Sequence, residues 1–251
     1  MDINDIKAVS LEVKSFILNV SDVKEESITD YLIWKWREID KRFNYLSVTP
    51  FNRRQESTTT GADFDLELWF VGRWEHVSLA IQAKKFIKPY NSYVNKLNYP
   101  HGTKQQMDKL LKYSAANNKL PFYFIYTVAD LSNTVEGAVF MADARVMEEF
   151  ADGKKGKKIS RDDIIRASNP FHCMFCCPHA KKGFYFPGSN TDTSPENNNV
   201  LPQYVKYLLE APRDQPSSLL NRELSENREL PDERAFRAVG VYNMRDEDSF
   251  I

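Results

Sequence analysis

The residues whose types and spacing could do chemistry are concentrated between 61 and 85, GADFDLELWFVGRWEHVSLAIQAKK. From Asp63 to Phe70 acidic and apolar residues alternate with the period of a β-strand. Phe64, Leu66, Leu68 and Phe70 fall on one side, and Asp63, Asp65, Glu67 and Trp69 on the other. Gly72 with Arg73 supplies a turn, and VSLAIQAKKF returns as a second strand. Folded about that turn, Asp65 comes opposite Gln82 and Asp63 opposite Lys84. A slip or a bulge would exchange partners without changing the neighbourhood. One end of the hairpin thus gathers two carboxylates, a side-chain amide and a lysine. Carboxylate and amide oxygens suit a hard divalent cation such as Mg²⁺ or Mn²⁺. A lysine beside them can orient a water and offset phosphate charge, a combination suited to phosphodiester hydrolysis.

The elements that must position these groups can be read on either side. Residues 5–20 have the apolar spacing of a helix, through Ile6, Val9, Val13 and Val20. Ser21 can cap a second helix, DVKEESITDYLIWKWREIDKRF, whose apolar face runs through Ile28, Leu32, Trp36 and Ile39. At ~100° per residue, Glu25 falls within that face and Glu26 about a quarter-turn outside it. A carboxylate on a buried face needs a partner, although both glutamates also suit the positive end of the helix dipole. YLSVTPFNR reads as a first strand. Thr103 caps KQQMDKLLKYSAANNK, a helix with Gln105 and Gln106 in its first turn. PFYFIYTV is an apolar run typical of a central strand, GAVFMADA is a further strand, and ARVMEEFAD a short helix.

With these residues in view, GAD…QAK resembles motifs II and III of the PD-(D/E)XK, or restriction-endonuclease-like, nuclease superfamily. Gln82, where an acidic residue is usual, is similar to the Mrr-like branch. The resemblance covers residues 25–127. It implies an α/β fold with a mixed central sheet flanked by helices, built in the order strand, hairpin, helix, strand. It also implies a glutamate on the first core helix that points at the metal, which Glu25-x-x-Ile28 followed by Leu32 resembles. The implied Mg²⁺ or Mn²⁺ site is Asp63, Gln82 and Glu25 or Glu26, with Asp65 as the reserve ligand, the Ala83 carbonyl completing it and Lys84 as the catalytic lysine. The implied substrate is nucleic acid, DNA ahead of RNA, and the implied setting is prokaryotic restriction or anti-phage defence. The neutral Gln82 leaves room for a second reading, a nuclease-fold module that binds nucleic acid or protein without turnover.

The bulk properties fit. A chain of 251 residues, 42% hydrophobic and 13% aromatic, can fill a large core. Residues 1–150 form the expected nuclease-like unit, and 151–251 a helical and loop extension packed on it. No apolar run approaches the ~20 residues needed to cross a membrane, and the amphipathic N-terminus does not read as a signal peptide. Three cysteines fit a reducing cytoplasm. The net charge of −1 requires positive charge to be concentrated locally. Local sources are Lys85, Lys88, Tyr90, Tyr93 and Lys96 after the hairpin and the basic turn at 152–160. Cys173, Cys176, Cys177 and His179, with His172, form a zinc-like cluster, although FHCMFCC also reads as a buried strand. PGSNTDTSPENNN is a polar loop and LPQYVKYLLEAP a helix. The tail, which repeats NREL and mixes charges at helix-like spacing, suits covering the core or contributing to a homo-oligomer. Regulation would fall to self-assembly or to a partner protein.

Overall fold

The structure is a computed structural model, described here for residues 3–43, 46–50, 64–72, 76–87, 97, 105–128, 137–156, 158–176, 179–180, 183–184, 201–210 and 236–245. Two helices lead, α1 (Ile3–Asn19) and α2 (Glu25–Phe43). They are followed by β1 (Leu46–Pro50), β2 (Phe64–Val71), β3 (His76–Lys85), α3 (Gln105–Ala116), β4 (Leu120–Tyr126) and β5 (Val139–Asp143). Then come α4 (Ala144–Ala151), α5 (Arg161–Arg166), β6 (Asn169–Pro170), α6 (Cys173–Cys176), a small β7–β8 ladder (His179–Ala180, Gly183–Phe184), α7 (Gln203–Glu210) and β9 (Phe236–Asn243). The fold is α/β, as the sequence implies. A seven-stranded mixed sheet in the order β1-β9-β2-β3-β4-β5-β6 is flanked by helices. Among the described residues no helix is long and apolar enough to cross a membrane.

The hairpin forms in the register read from the sequence: Leu66 pairs with Ile81, and the antiparallel ladder runs on to Val71 with His76. β3 and β4 are parallel, with Gln82 beside Tyr123 and Lys84 beside Ile125. Both strands therefore end at the same edge of the sheet.

Side-chain alternation divides the core. Leu66, Leu68, Ile81, Ala83 and Phe124 face α1 and α2. Ala80, Tyr123 and Ile125 face α3, α4 and α5. Trp69, Val71, Val239 and Val241 face α7. The apolar stripe expected on α2 is buried throughout, from Ile28 to Ile39. Trp36 lies at its centre, against Phe124, Phe171 and Phe175.

Three expectations change. First, α2 begins at Glu25, later than a Ser21 cap implies, and Asp22 takes φ 52. That left-handed residue forms the corner between the helices, and the phase of Glu25 against Trp36 is unaffected. Second, residues 236–243 form a strand, where the tail suggested helix. β9 lies between β1 and β2, antiparallel to the first and parallel to the second, so the C-terminal region contributes a strand to the sheet itself. The reason is local: Val239 and Val241 face one way, Ala238 and Tyr242 the other, as a strand covered on both faces requires. Third, residues 173–176 form one helical turn instead of a buried strand. Met174 and Phe175 join Phe171 in the aromatic core while Cys173 stays half-buried.

α1 is tied to the sheet at one close approach. Ser10 Oγ accepts from the backbone N–H groups of Ala138 and Val139, both at 3.1 Å. Gly137 sits there at φ 72, and a Cβ would meet Ser10 Oγ at 2.2 Å, so only glycine fits.

Candidate active site

The edge where β3 and β4 end also receives the first turns of α2 and α3. Glu25 Oε2 accepts from the Lys85 backbone N–H at 2.7 Å, and Lys85 Nζ donates to the Val23 carbonyl at 2.6 Å. These two bonds fasten the start of α2 to the end of β3. One turn on, Thr29 Oγ1 lies 3.0 Å from the Tyr126 hydroxyl and also donates to the Glu25 carbonyl at 3.2 Å. α3 is fastened from the other face: Lys84 Nζ donates to Gln106 Oε1 at 2.6 Å. Two helix N-termini, each the positive end of a macrodipole, thus approach one sheet edge.

The sequence candidates can be placed one by one. Glu25 is half-buried at this edge, whereas Glu26 is exposed on the outer side of α2, as the ~100° step between them demands. Gln82 and Lys84 are buried, at 4% and 7% exposure, on the face covered by α3. Asp65 lies in β2, one step beyond the paired Leu66, which puts its backbone on course to meet Gln82. Its side chain, and Asp63 altogether, are outside the described residues. So are Lys88, Tyr90, Tyr93, Lys96, Cys177 and the side chains of Cys176 and His179. Among the described residues no group of three or more His, Cys, Asp or Glu could hold a metal ion.

Lys85, one of the expected phosphate contacts, fastens α2 through its bond to Val23. In the basic turn, Lys154 pairs with Asp152 at 3.7 Å and Lys155 with Glu149 at 3.0 Å, so these two lysines have partners of their own.

Two site residues went unassigned in the sequence. Gln106 was visible as a first-turn glutamine, but nothing local linked it to a lysine on the preceding strand. Tyr123 was hidden inside an apolar run. It is the register neighbour of Gln82 and is fully buried. Its hydroxyl finds no hydrogen-bond partner among the described residues. Burial pushes its pKa well above the ordinary tyrosine value, with further contributions from the negative charges of Glu25, Asp108 and Glu148. This hydroxyl therefore stays protonated and lies in the field of three carboxylates drawn from α2, α3 and α4.

The oxygen donors described at this edge are the Glu25 carboxylate and the Gln82 amide. Oxygen donors of this kind suit a hard cation ahead of a thiophilic metal. A different polar group lies one step inward on the same face. Glu67, fully buried, accepts through Oε1 from Trp69 Nε1 at 2.8 Å, from the Tyr204 hydroxyl of α7 at 2.8 Å and from Lys119 Nζ. Lys119 Nζ also lies 4.6 Å from the Trp69 ring centroid. The acidic side of β2 is therefore not a wet face.

Residues 3–247 match the family described as Family of unknown function (DUF6615). No curated protein and no solved structure matches the chain.

Proposed function

We propose that this chain, which belongs to the DUF6615 family of unknown function, is a metal-dependent nuclease acting at the shared end of β3 and β4. The observation that carries this is that Glu25, Gln82 and Lys84 meet one end of β3, Glu25 from the α2 face and the other two, at alternate positions of the strand, on the α3 face. The element order α2-β1-β2-β3-α3-β4 also follows the order that the nuclease resemblance implies. Glu25 and Gln82 would hold Mg²⁺ or Mn²⁺ together with Asp63, with Asp65 in reserve. When bound, the cation supplies Lewis-acid polarisation of a phosphate oxygen and a water of lowered pKa. Lys84 orients that water and offsets phosphate charge. It donates to the Gln106 amide, which holds the ammonium in place. The N-termini of α2 and α3 add fixed positive potential for a phosphodiester. Resemblance favours DNA over RNA, a cytoplasmic setting and a role in prokaryotic restriction or anti-phage defence.

The neutral Gln82 supports a second reading, a module with this architecture that binds nucleic acid or protein without cutting. Plasmid DNA and a structured RNA, each incubated with the chain in Mg²⁺, Mn²⁺ or EDTA, separate the two readings. Cleavage that requires the divalent ion is expected, with DNA as the better substrate. Binding without cleavage in every metal condition would leave only the second reading.

A further inference from the structure

We infer that Tyr123 belongs to this site and that its hydroxyl donates to a water carried on the bound metal. The inference rests on the metal-site reading above and adds a residue that the resemblance does not supply. Tyr123 stands beside Gln82 on the adjacent parallel strand, where neighbouring backbones lie about 4.8 Å apart. Its side chain shares the α3-covered face with Ala80, the alternate neighbour of Gln82 in β3, and with Phe86 just past the end of that strand. The hydroxyl is fully buried and no protein group among the described residues accepts from it. A buried hydroxyl left without an acceptor costs roughly 1–3 kcal/mol, so an acceptor that arrives from outside the protein is the economical explanation.

The nearby charges select the kind of acceptor. Glu25, Asp108 and Glu148 all act on this hydroxyl, and Glu25 is itself a candidate ligand. An acceptor carried by a cation would be drawn to these three carboxylates. A water held by such a cation would offer Tyr123 the oxygen that the described residues do not. With Gln82 neutral, such a donor would hold one water of the coordination shell in a fixed orientation. Partners outside the ligand shell of this kind commonly change metal affinity by about 10–100-fold.

The test uses the full chain and its Tyr123→Phe variant, which removes one oxygen and keeps the ring. In EDTA the variant should melt at or above the parent temperature, because a hydroxyl with no protein acceptor is lost. In a Mn²⁺ titration followed by melting temperature, its midpoint should rise roughly tenfold or more. Tyr204→Phe serves as control. It removes a buried hydroxyl that Glu67 does accept from, so it should lower stability in EDTA and leave the Mn²⁺ midpoint in place. Equal midpoints for parent and Tyr123→Phe would overturn the role of Tyr123 while leaving the metal site standing. So would an equal rise in both variants. A parent that does not respond to Mn²⁺ at all would overturn the metal site and this inference together.

Discussion

Glu67 and the Gln82–Lys84 pair sit on the same face of one hairpin, a single alternate position apart, yet the fold treats them differently. Around Glu67 the protein itself supplies three donors to one oxygen, while Oε2 has no hydrogen-bond partner among the described residues. An indole from the same strand, an ammonium from the start of β4 and a phenol from α7 converge on one carboxylate oxygen. The phenol's pKa is pushed up, first by burial and then by the Glu67 charge, so it remains a donor. At the sheet edge, by contrast, the helices arrive by their N-termini, and the polar groups they bring are spread over Glu25, Gln106 and Asp108. The lysine there is held by an amide, and one tyrosine hydroxyl has no acceptor among the described residues. A buried charge whose partners all come from the fold is an anchor. At the edge, the buried Tyr123 hydroxyl is the group that the described residues leave without an acceptor.

The sharpest way to break this contrast is to disturb the anchor. Glu67→Gln keeps the shape but leaves Lys119 buried without a countercharge. Loss of one member of such a pair costs about 3–5 kcal/mol. Urea unfolding should show a loss of that size, while cleavage per folded molecule stays within roughly twofold. A stability change below about 1 kcal/mol would mean that Glu67 is not the anchor.

Lys84→Met should do the opposite. The stem volume is nearly conserved, so unfolding should change by less than about 1.5 kcal/mol. Cleavage should fall by roughly a hundredfold or more, the scale seen when one preorganised charge-stabilising group is lost. An active Lys84→Met protein would remove the lysine from the chemistry. A large drop in stability would make it a second anchor and erase the distinction between the two regions.

Gln82→Glu makes the finest comparison. At nearly constant volume it adds a negative charge beside Glu25. Without metal, stability should fall modestly as like charges crowd. With saturating Mg²⁺ or Mn²⁺ the metal-induced stabilisation should exceed that of the parent. A tenfold gain in affinity corresponds to about 1.4 kcal/mol. Identical metal-induced shifts in the two proteins would show that Gln82 is not a ligand.

What the sequence determined by itself is whatever depends on the period of the chain. The alternation DFDLELWF set two faces, and the Gly72 turn region set a register in which Leu66 meets Ile81. The spacing from Ile28 to Ile39 set the buried stripe of α2, and so the phase that turns Glu25 inward and Glu26 out. The run PFYFIYTV marked a strand covered on both faces. Each of these follows from repeats of two or 3.6 residues, which neighbours along the chain express without help from distant segments.

What only the tertiary structure decided is which distant surfaces meet. Glu67 looks like a solvent-facing strand residue until α7 arrives from residues 203–210 and brings Tyr204 to it. The charged tail reads as helix until β9 finds the gap between β1 and β2 and buries Val239 and Val241. Gln106 is one of two ordinary first-turn glutamines until α3 lays it against Lys84, and Tyr123 is one aromatic among several until parallel pairing sets it beside Gln82. These contacts join residues 22 to 137 positions apart or lie between strands whose pairing is set by the whole sheet. Their energies come from long-range desolvation and charge complementarity, which no local period encodes.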